Sequence, residues 1–393
     1  MRLISPIFFI ALGLFGVYTI EFGVVGILPV LTSRFGVSIA QAGALVGLFA
    51  LIVAACGPVM VLFLSNYNRK KMLVFCLIVF ALSSVLSAYS TSYAVLTWSR
   101  ILPALFHPVY FSLAFVAAAS LYEKEHATQA AAKAFVGTSM GMVLGVPITT
   151  WIAARFSYEA AFLFCTAVNL VAALGIILML PEQAVSAKPS YGKQLAILKK
   201  VPLWLNIIAS MLIFAAMFSV YSYSSEYLGR ETGLKAEVIS ILLVVFGIGG
   251  VAGNLLAGRM IASNMVRTTF LHPIVLAIAY LVLKLFGSAT LAPMIVIMLF
   301  WGGAHTSGLI VTQIWLTSEA PEAPEFATGI YISFINLGVT LGSLAGGWFI
   351  TNMGMAGSIF CGWLFAVCAL LVITVRVLFF GRRGELAKTQ LAA

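Results

Sequence analysis

Aspartate occurs nowhere among the 393 residues: all 12 acids are glutamates, and charged side chains of every kind make up only 9% of the chain. The 5 cysteines, Cys56, Cys76, Cys165, Cys361 and Cys368, are odd in number and show no C-x-x-C spacing, so metal or redox work by thiols is not indicated. They read as small apolar packing residues. H-E-x-x-H, a paired set of acids and a soluble output domain are also missing, which leaves a membrane enzyme or sensor without its working parts. No metal site and no organic cofactor are expected.

One stretch tests that exclusion. "GTSMGMVLGVPITTW", Gly137 to Trp151, opens with the G-x-S-x-G spacing of a nucleophile elbow, which would make Ser139 a catalytic serine. An elbow needs a preceding strand, and a triad needs a histidine held by an acid. The hydropathy of the region forbids a strand. The same letters place Gly137, Gly141 and Gly145 four apart with Pro147 just beyond, a smooth helical face followed by a break in the hydrogen-bond ladder. Small-residue packing is common on membrane helices, so this face is either bland packing or a specific device.

What the chain has in abundance is apolar surface, at 62% hydrophobic residues with a mean hydropathy of +1.10. A hydrocarbon layer about 30 Å thick calls for about 20 apolar residues per helical crossing. Twelve such stretches are present. They run roughly from Ile4 to Leu31, Ile39 to Ser65, Met72 to Ser90, Ala94 to Tyr122, Ala132 to Ala154 and Ala160 to Leu180. After a polar segment follow Trp204 to Tyr227, Val238 to Ile261, Thr269 to Ser288, Leu291 to Thr317, Ala327 to Asn352 and Met355 to Phe380. The first stretch is too long for a signal-peptide core and lacks an A-x-A cleavage site, so it is expected to stay as a helix.

The net charge of +10 is a topology signal. With the N terminus inside, the loops on that side collect Arg2, Arg69, Lys70, Lys71, Lys124, Lys133, Lys188, Lys193, Lys199, Lys200, Arg259, Arg267, Arg376, Arg382, Arg383 and Lys388. The opposite loops hold only Arg34, Arg155, Arg230 and Lys235. The positive-inside rule therefore places both termini in the cytoplasm. No loop gathers these charges on a folded basic surface, so nucleic acid is not an expected partner.

The chain is written twice. "PEQAVSAKPSYGKQLAILKKVP", Pro181 to Pro202, is the one long polar loop, and at a shift of about 196 "LGVPITTW" at Leu144 to Trp151 faces "LGSLAGGW" at Leu341 to Trp348. Gly57 faces Gly253, and His107 nearly matches His305. The expected organisation is a six-helix bundle over residues 1–180, a cytoplasmic linker over 181–203, and a second six-helix bundle over 204–393 with a short cytoplasmic tail.

Parallel six-helix repeats about an axis along the membrane normal resemble the major facilitator superfamily of transporters. Members carry G-x(3)-D-R-x-G-R-R between their second and third helices. The aligned segment here, "LFLSNYNRKK" at Leu62 to Lys71, keeps the basic end as Arg69, Lys70 and Lys71 but has Leu62 for glycine and Asn66 for the acid. The second copy, "GRMIASNMVR" at Gly258 to Arg267, has Ala262 at the acid position. "RILPALFHP" is similar to the R-x-x-x-G element of proton-coupled members, with Arg100 kept and Ala104 for glycine. The Gly137–Pro147 stretch resembles the fifth-helix antiporter motif, and "IEFGVVGILP" resembles the arabinose-efflux and drug-efflux branch.

The resemblance implies an all-α membrane protein of twelve helices in two pseudo-symmetric bundles. It implies a monomer in a bacterial inner membrane that exports a drug-like molecule, sugar or related metabolite by alternating access, energised by a proton gradient. A proton-coupled importer or passive facilitator is the alternative. It also implies gating by Asn66, Arg69, Lys70 and Lys71, and a hinge between bundles at Gly137, Gly141, Gly145 and Pro147.

Glu21 is the one acid well inside a span of the first half, about ten residues and hence ~15 Å from the helix end. An ionised carboxylate there costs on the order of 2.5–3.5 kcal/mol. Arg100 lies at a similar depth. The two either form a permanent strut or constitute a switch for which a proton or cationic substrate competes. His107 and His305 are either interhelical hydrogen-bond partners or proton carriers. Proton coupling is thus assigned to Glu21, Arg100 and His107. A cavity lined by Tyr18, Glu21, Phe22, Phe106, His107, Tyr110, Phe218, Tyr221, Trp301, His305 and Asn336 would suit an amphipathic or aromatic molecule. Glu226, with Tyr221, Tyr223 and Tyr227, lines either an outer vestibule or an interfacial aromatic belt.

Overall fold

The computed structural model describes residues 5–64, 67–122, 124–182, 196–288, 290–320 and 324–391. Among them, twelve helices are long and apolar enough to cross a membrane. Backbone in hydrocarbon must satisfy its own hydrogen bonds, and helices do so residue by residue. Caps close the ends where chain leaves lipid. Ser92, Ser157, Asn68 and Asn264 each accept a hydrogen bond from the amide three residues on.

The first expected span is divided. Helix α1, Pro6–Gly26, stops at Ile27, and α2, Leu28–Phe35, continues it. Pro29, near the start of α2, has no amide hydrogen to extend the ladder. The Ile27 amide turns instead to the Val24 carbonyl at 3.2 Å, and Gly36 at φ 62° ends α2. Then come α3 (Ile39–Leu64), α4 (Arg69–Ala88), α5 (Tyr93–Ala119), α6 (Lys124–Arg155) and α7 (Tyr158–Met179).

The second half repeats the device. Its first span is split into α8, Val201–Tyr221, and α9, Ser224–Thr232, and Gly233 at φ 69° ends α9. It continues with α10 (Ala236–Ser263), α11 (Met265–Phe286), α12 (Leu291–Thr317), α13 (Pro324–Met353) and α14 (Gly357–Leu391). Between the halves, a 3₁₀ turn at Ala196–Lys199 buries Ile197, and Lys200 Nζ donates to the Glu319 carbonyl at 2.8 Å.

By packing, the chain forms two compact units, and their division differs from a cut at the linker. One gathers Met1–Ala187 with Ser222–Gly247, the other Lys188–Tyr221 with Ile248–Ala393. Helix α9 and the start of α10 thus pack in the first unit. Ser225 Oγ donates to the Val25 carbonyl just before the α1 break, and Tyr223 lies against Gly43 of α3.

Packing within each unit is duplicated. Helix α1 lies along α6 and α7, and α4 along α5 and α7; likewise α8 lies along α13 and α14, and α11 along α12 and α14. The α1–α6 contact brings the two backbones close together. A β-carbon at Gly137 would fall on the Ala11 backbone, one at Gly141 on Tyr18 and the Phe15 carbonyl, and one at Gly145 on Thr19. In the other unit Gly338, Gly342 and Gly346 meet the Met211, Ala215 and Ser219 carbonyls of α8 in the same way. The expected hinge between bundles is therefore corrected. This glycine face is the seam of α6 against α1 inside one unit, because only residues lacking a side chain let the two backbones approach so closely.

The core of the first unit is built on Leu14, Phe49, Leu77, Phe80 and Tyr110. Helix α6 runs unbroken through the buried Pro147. Beside the amide that proline lacks, the Thr149 and Thr150 hydroxyls donate to the Gly145 and Val146 carbonyls at 2.9 and 2.8 Å. Ser139 is helical with no strand before it, as the elbow reading would have required, and its side chain lies outside the described residues.

Candidate functional site

The first unit brings its three candidate proton-coupling residues together. Arg100 and His107 are seven residues apart on α5, two helical turns, and so share a face. Glu21 is on α1 opposite them. All three are buried, with exposures of 3% for Glu21, 2% for Arg100 and 2% for His107.

The pairing is not the expected one. The Arg100 guanidinium does not clasp the Glu21 carboxylate; Nη1 donates to the Ile20 carbonyl and Nη2 to the Glu21 carbonyl, each at 3.0 Å. Two parallel donors in a planar fork match two successive carbonyls, as they would match the two oxygens of a carboxylate. The Phe49 ring lies under the cation at 5.2 Å, within cation–π range. Glu21 instead turns to His107. Its Oε2 and His107 Nε2 approach to 3.0 Å, within ion-pair range but without the alignment of a formed hydrogen bond. The imidazole is ringed by Tyr18 at 5.2 Å, Phe49 at 5.9 Å and Phe111 at 6.4 Å. Phe22 lies next to Tyr18 at 6.1 Å.

A carboxylate and an imidazole in contact, walled by aromatic rings, form a buried polar pair inside otherwise apolar spans. Burial of a charge is tolerable here because an opposite charge can form beside it.

In the second unit His305 of α12 packs against Tyr221 at 4.7 Å and Phe218 at 5.5 Å, both on α8. Phe218 continues to Phe214, and Phe214 to Tyr331 of α13. His272 of α11 approaches the Ala304 carbonyl at 3.0 Å through Nε2, next to His305.

Four expected cavity residues take other places. Phe106 packs edge-on against Phe75 of α4 at 5.2 Å. Tyr110 is fully buried in the core, where its hydroxyl donates to the Ile10 carbonyl and its ring occupies the space left by Gly13. Trp301 is fully buried against Tyr280. Asn336 turns to its own helix, Nδ2 donating to the Ile332 carbonyl at 2.9 Å. Tyr223 and Tyr227 are buried in the first unit, unlike members of an exposed aromatic belt, and Glu226 is paired with Arg230.

Of the gating residues, Asn66 lies outside the described residues, while Arg69, Lys70 and Lys71 form the first turn of α4. Phe49, Phe111, His272 and Tyr331 join the two polar centres without having been singled out from sequence. Phe111 carries a signal, since it sits one turn beyond His107 on the same helix face.

A Major Facilitator Superfamily family model matches residues 10–323 and, in its second copy, residues 208–393. The inner membrane transport protein YdhP of Escherichia coli K12 is 32% identical over 380 residues, covering 95% of this chain and 96% of its own. A probable sugar efflux transporter of Mannheimia succiniciproducens is 27% identical, covering 93% of this chain and 91% of its own. Among solved structures, a bacterial homolog of the human lysosomal transporter Spinster, inward-facing and occupied, superposes with a TM-score of 0.75 at 15% identity, over 95% of this chain and 97% of that one. The nucleoside transporter NupG gives a TM-score of 0.73 at 15% identity, over 95% and 97%. The relatives and the fold are those of transporters of this superfamily, which are not enzymes. The chain belongs to the major facilitator superfamily.

Proposed function

We propose that the protein exports a small organic molecule across a bacterial inner membrane in exchange for protons, with Glu21 and His107 as the proton-carrying pair. The observation that carries this reading is the 3.0 Å contact between Glu21 Oε2 and His107 Nε2, both side chains buried in a span. Ionisable groups inside a membrane are costly and are kept for ion or proton pathways. A proton on the pair and a substrate against the surrounding rings of Tyr18 and Phe22 would load the same site in turn, which is the logic of antiport. The inner membrane and the export direction are supported by relatives called an inner membrane transport protein and a sugar efflux transporter. Cytoplasmic termini are supported by the basic residues of the loops.

The aromatic walls at His107 and His305 suit a molecule with apolar or ring faces and a few polar groups, such as a drug-like compound or a sugar. A ligand-stabilisation screen of purified protein against drugs, sugars, nucleosides and amino acids identifies the substrate class. Counterflow in vesicles of opposite orientation then fixes the direction. Transport that ignores an imposed pH gradient would make the protein a passive facilitator.

A further inference from the structure

The described surface carries a groove apart from the polar centres around His107 and His305. It lies between α4 and the end of α7, holds about 300 Å³, and is lined by Lys70, Lys71, Val74, Phe75, Ile78, Ile177 and Glu182. Its two ends differ in kind. Phe75, Ile78 and Ile177 are 47%, 40% and 46% exposed, and the apolar bed continues down α4 through Leu82 and Leu86, spaced to stay on one helical face. The other end is basic. Among the described residues no carboxylate comes within ion-pair distance of Lys70 or Lys71. The nearest acid, Glu182, is engaged by Asn68, whose Nδ2 donates to it while Oδ1 caps the Lys71 amide at 3.1 Å.

We propose that this groove binds an anionic phospholipid of the cytoplasmic leaflet, its phosphate held by Lys70 and Lys71 and an acyl chain laid along Phe75, Ile78 and Ile177. A membrane-facing groove is filled by lipid, so headgroup charge is the selective element. The lysines reach the headgroup level by extending their charged ends away from the apolar bed. Occupied by Asn68, Glu182 offers less to a cationic headgroup than a bare carboxylate would. A basic residue near the membrane surface favours an anionic lipid by about 1 kcal/mol, or about fivefold. Two give a preference on the order of thirtyfold.

The test uses the purified full-length protein in neutral detergent, with phosphatidylglycerol and phosphatidylcholine of identical acyl chains. Phosphatidylglycerol should raise the unfolding temperature at concentrations more than tenfold lower than phosphatidylcholine. The Lys70→Gln/Lys71→Gln variant should bring the two lipids within about twofold. Lys70→Arg/Lys71→Arg and the control Lys235→Gln should keep the preference. Native mass spectrometry of wild type in an equimolar mixture, which needs no variant to fold, should retain phosphatidylglycerol. Equal response to both lipids, an undiminished preference in the glutamine variant, or the same stabilisation by soluble glycerol phosphate would overturn the proposal.

Discussion

Glu21 and His107 meet at 3.0 Å across α1 and α5, and the arginine two turns away on the same face of α5 holds backbone rather than carboxylate. That arrangement separates two tasks. Arg100 holds the backbone at Ile20 and Glu21, while the Glu21 carboxylate itself faces His107. If Glu21 is the carrier, Glu21→Gln retains the shape and hydrogen-bonding capacity of the protonated state but cannot release the proton. Substrate exchange without a gradient should then survive, whereas accumulation driven by a pH gradient should be lost. Substrate-induced proton release in weakly buffered detergent solution reads this directly. Equal release from wild type and variant would falsify the assignment of Glu21 and turn attention to His305 and Glu226.

Arg100 should be irreplaceable by lysine. A single ammonium cannot bridge two successive carbonyls as the planar guanidinium does, nor lie flat over Phe49. Hydrogen bonds from a charged donor are worth about 1.5–3 kcal/mol each in general, and less where the membrane offers alternative partners. Arg100→Lys should therefore destabilise the protein by roughly 1–3 kcal/mol and misplace Glu21, lowering coupled transport more than substrate binding. Thermal unfolding together with a binding isotherm separates the two effects. A variant as stable and as well coupled as wild type would mean that the Ile20 and Glu21 carbonyls need no anchor.

The family, the twelve spans and the internal duplication were legible because they depend on hydropathy and on residue types at fixed spacing. The site was legible only in part. Glu21, Arg100 and His107 stand out as polar groups in apolar helices, so sequence finds them one at a time. Which of them touch depends on how α1 rotates against α5, and that is set by the glycines of α6 and by Tyr110 filling the space over Gly13. The Glu21–Arg100 pairing, sound on depth alone, gives way to Glu21–His107 for that reason. Phe106 shows the same limit, since an aromatic residue next to a polar one in sequence, here His107, faces a different side of the helix.

The charge asymmetry of the loops makes a prediction independent of the site. A reporter fused after Lys388 should be cytoplasmic, and one inserted near Thr232, at the end of α9, should be external. Placement of both on one side of the membrane would break the twelve-crossing topology, whatever the fate of Glu21.

The glycine seams predict matched behaviour in the two halves. At Gly141 a side chain would run into Tyr18 and the Phe15 carbonyl, and at Gly342 into the Ala215 backbone. Flexible side chains can move aside, but a helix backbone cannot without shifting the whole helix. Overpacking costs about 1–3 kcal/mol even where neighbours yield, so Gly141→Leu and Gly342→Leu should each fall at or above the upper end of that range. The first displaces α1 and hence Glu21 from His107; the second displaces α8 and hence Tyr221 from His305. Ser139→Ala, on the same α6 helix, should leave transport near the wild-type rate because no hydrolytic step depends on that hydroxyl. Initial transport rates at matched expression, with thermal stability in detergent, test all three. Tolerance of both leucines with loss of activity in the alanine variant would overturn the seam and restore the serine to consideration as a nucleophile.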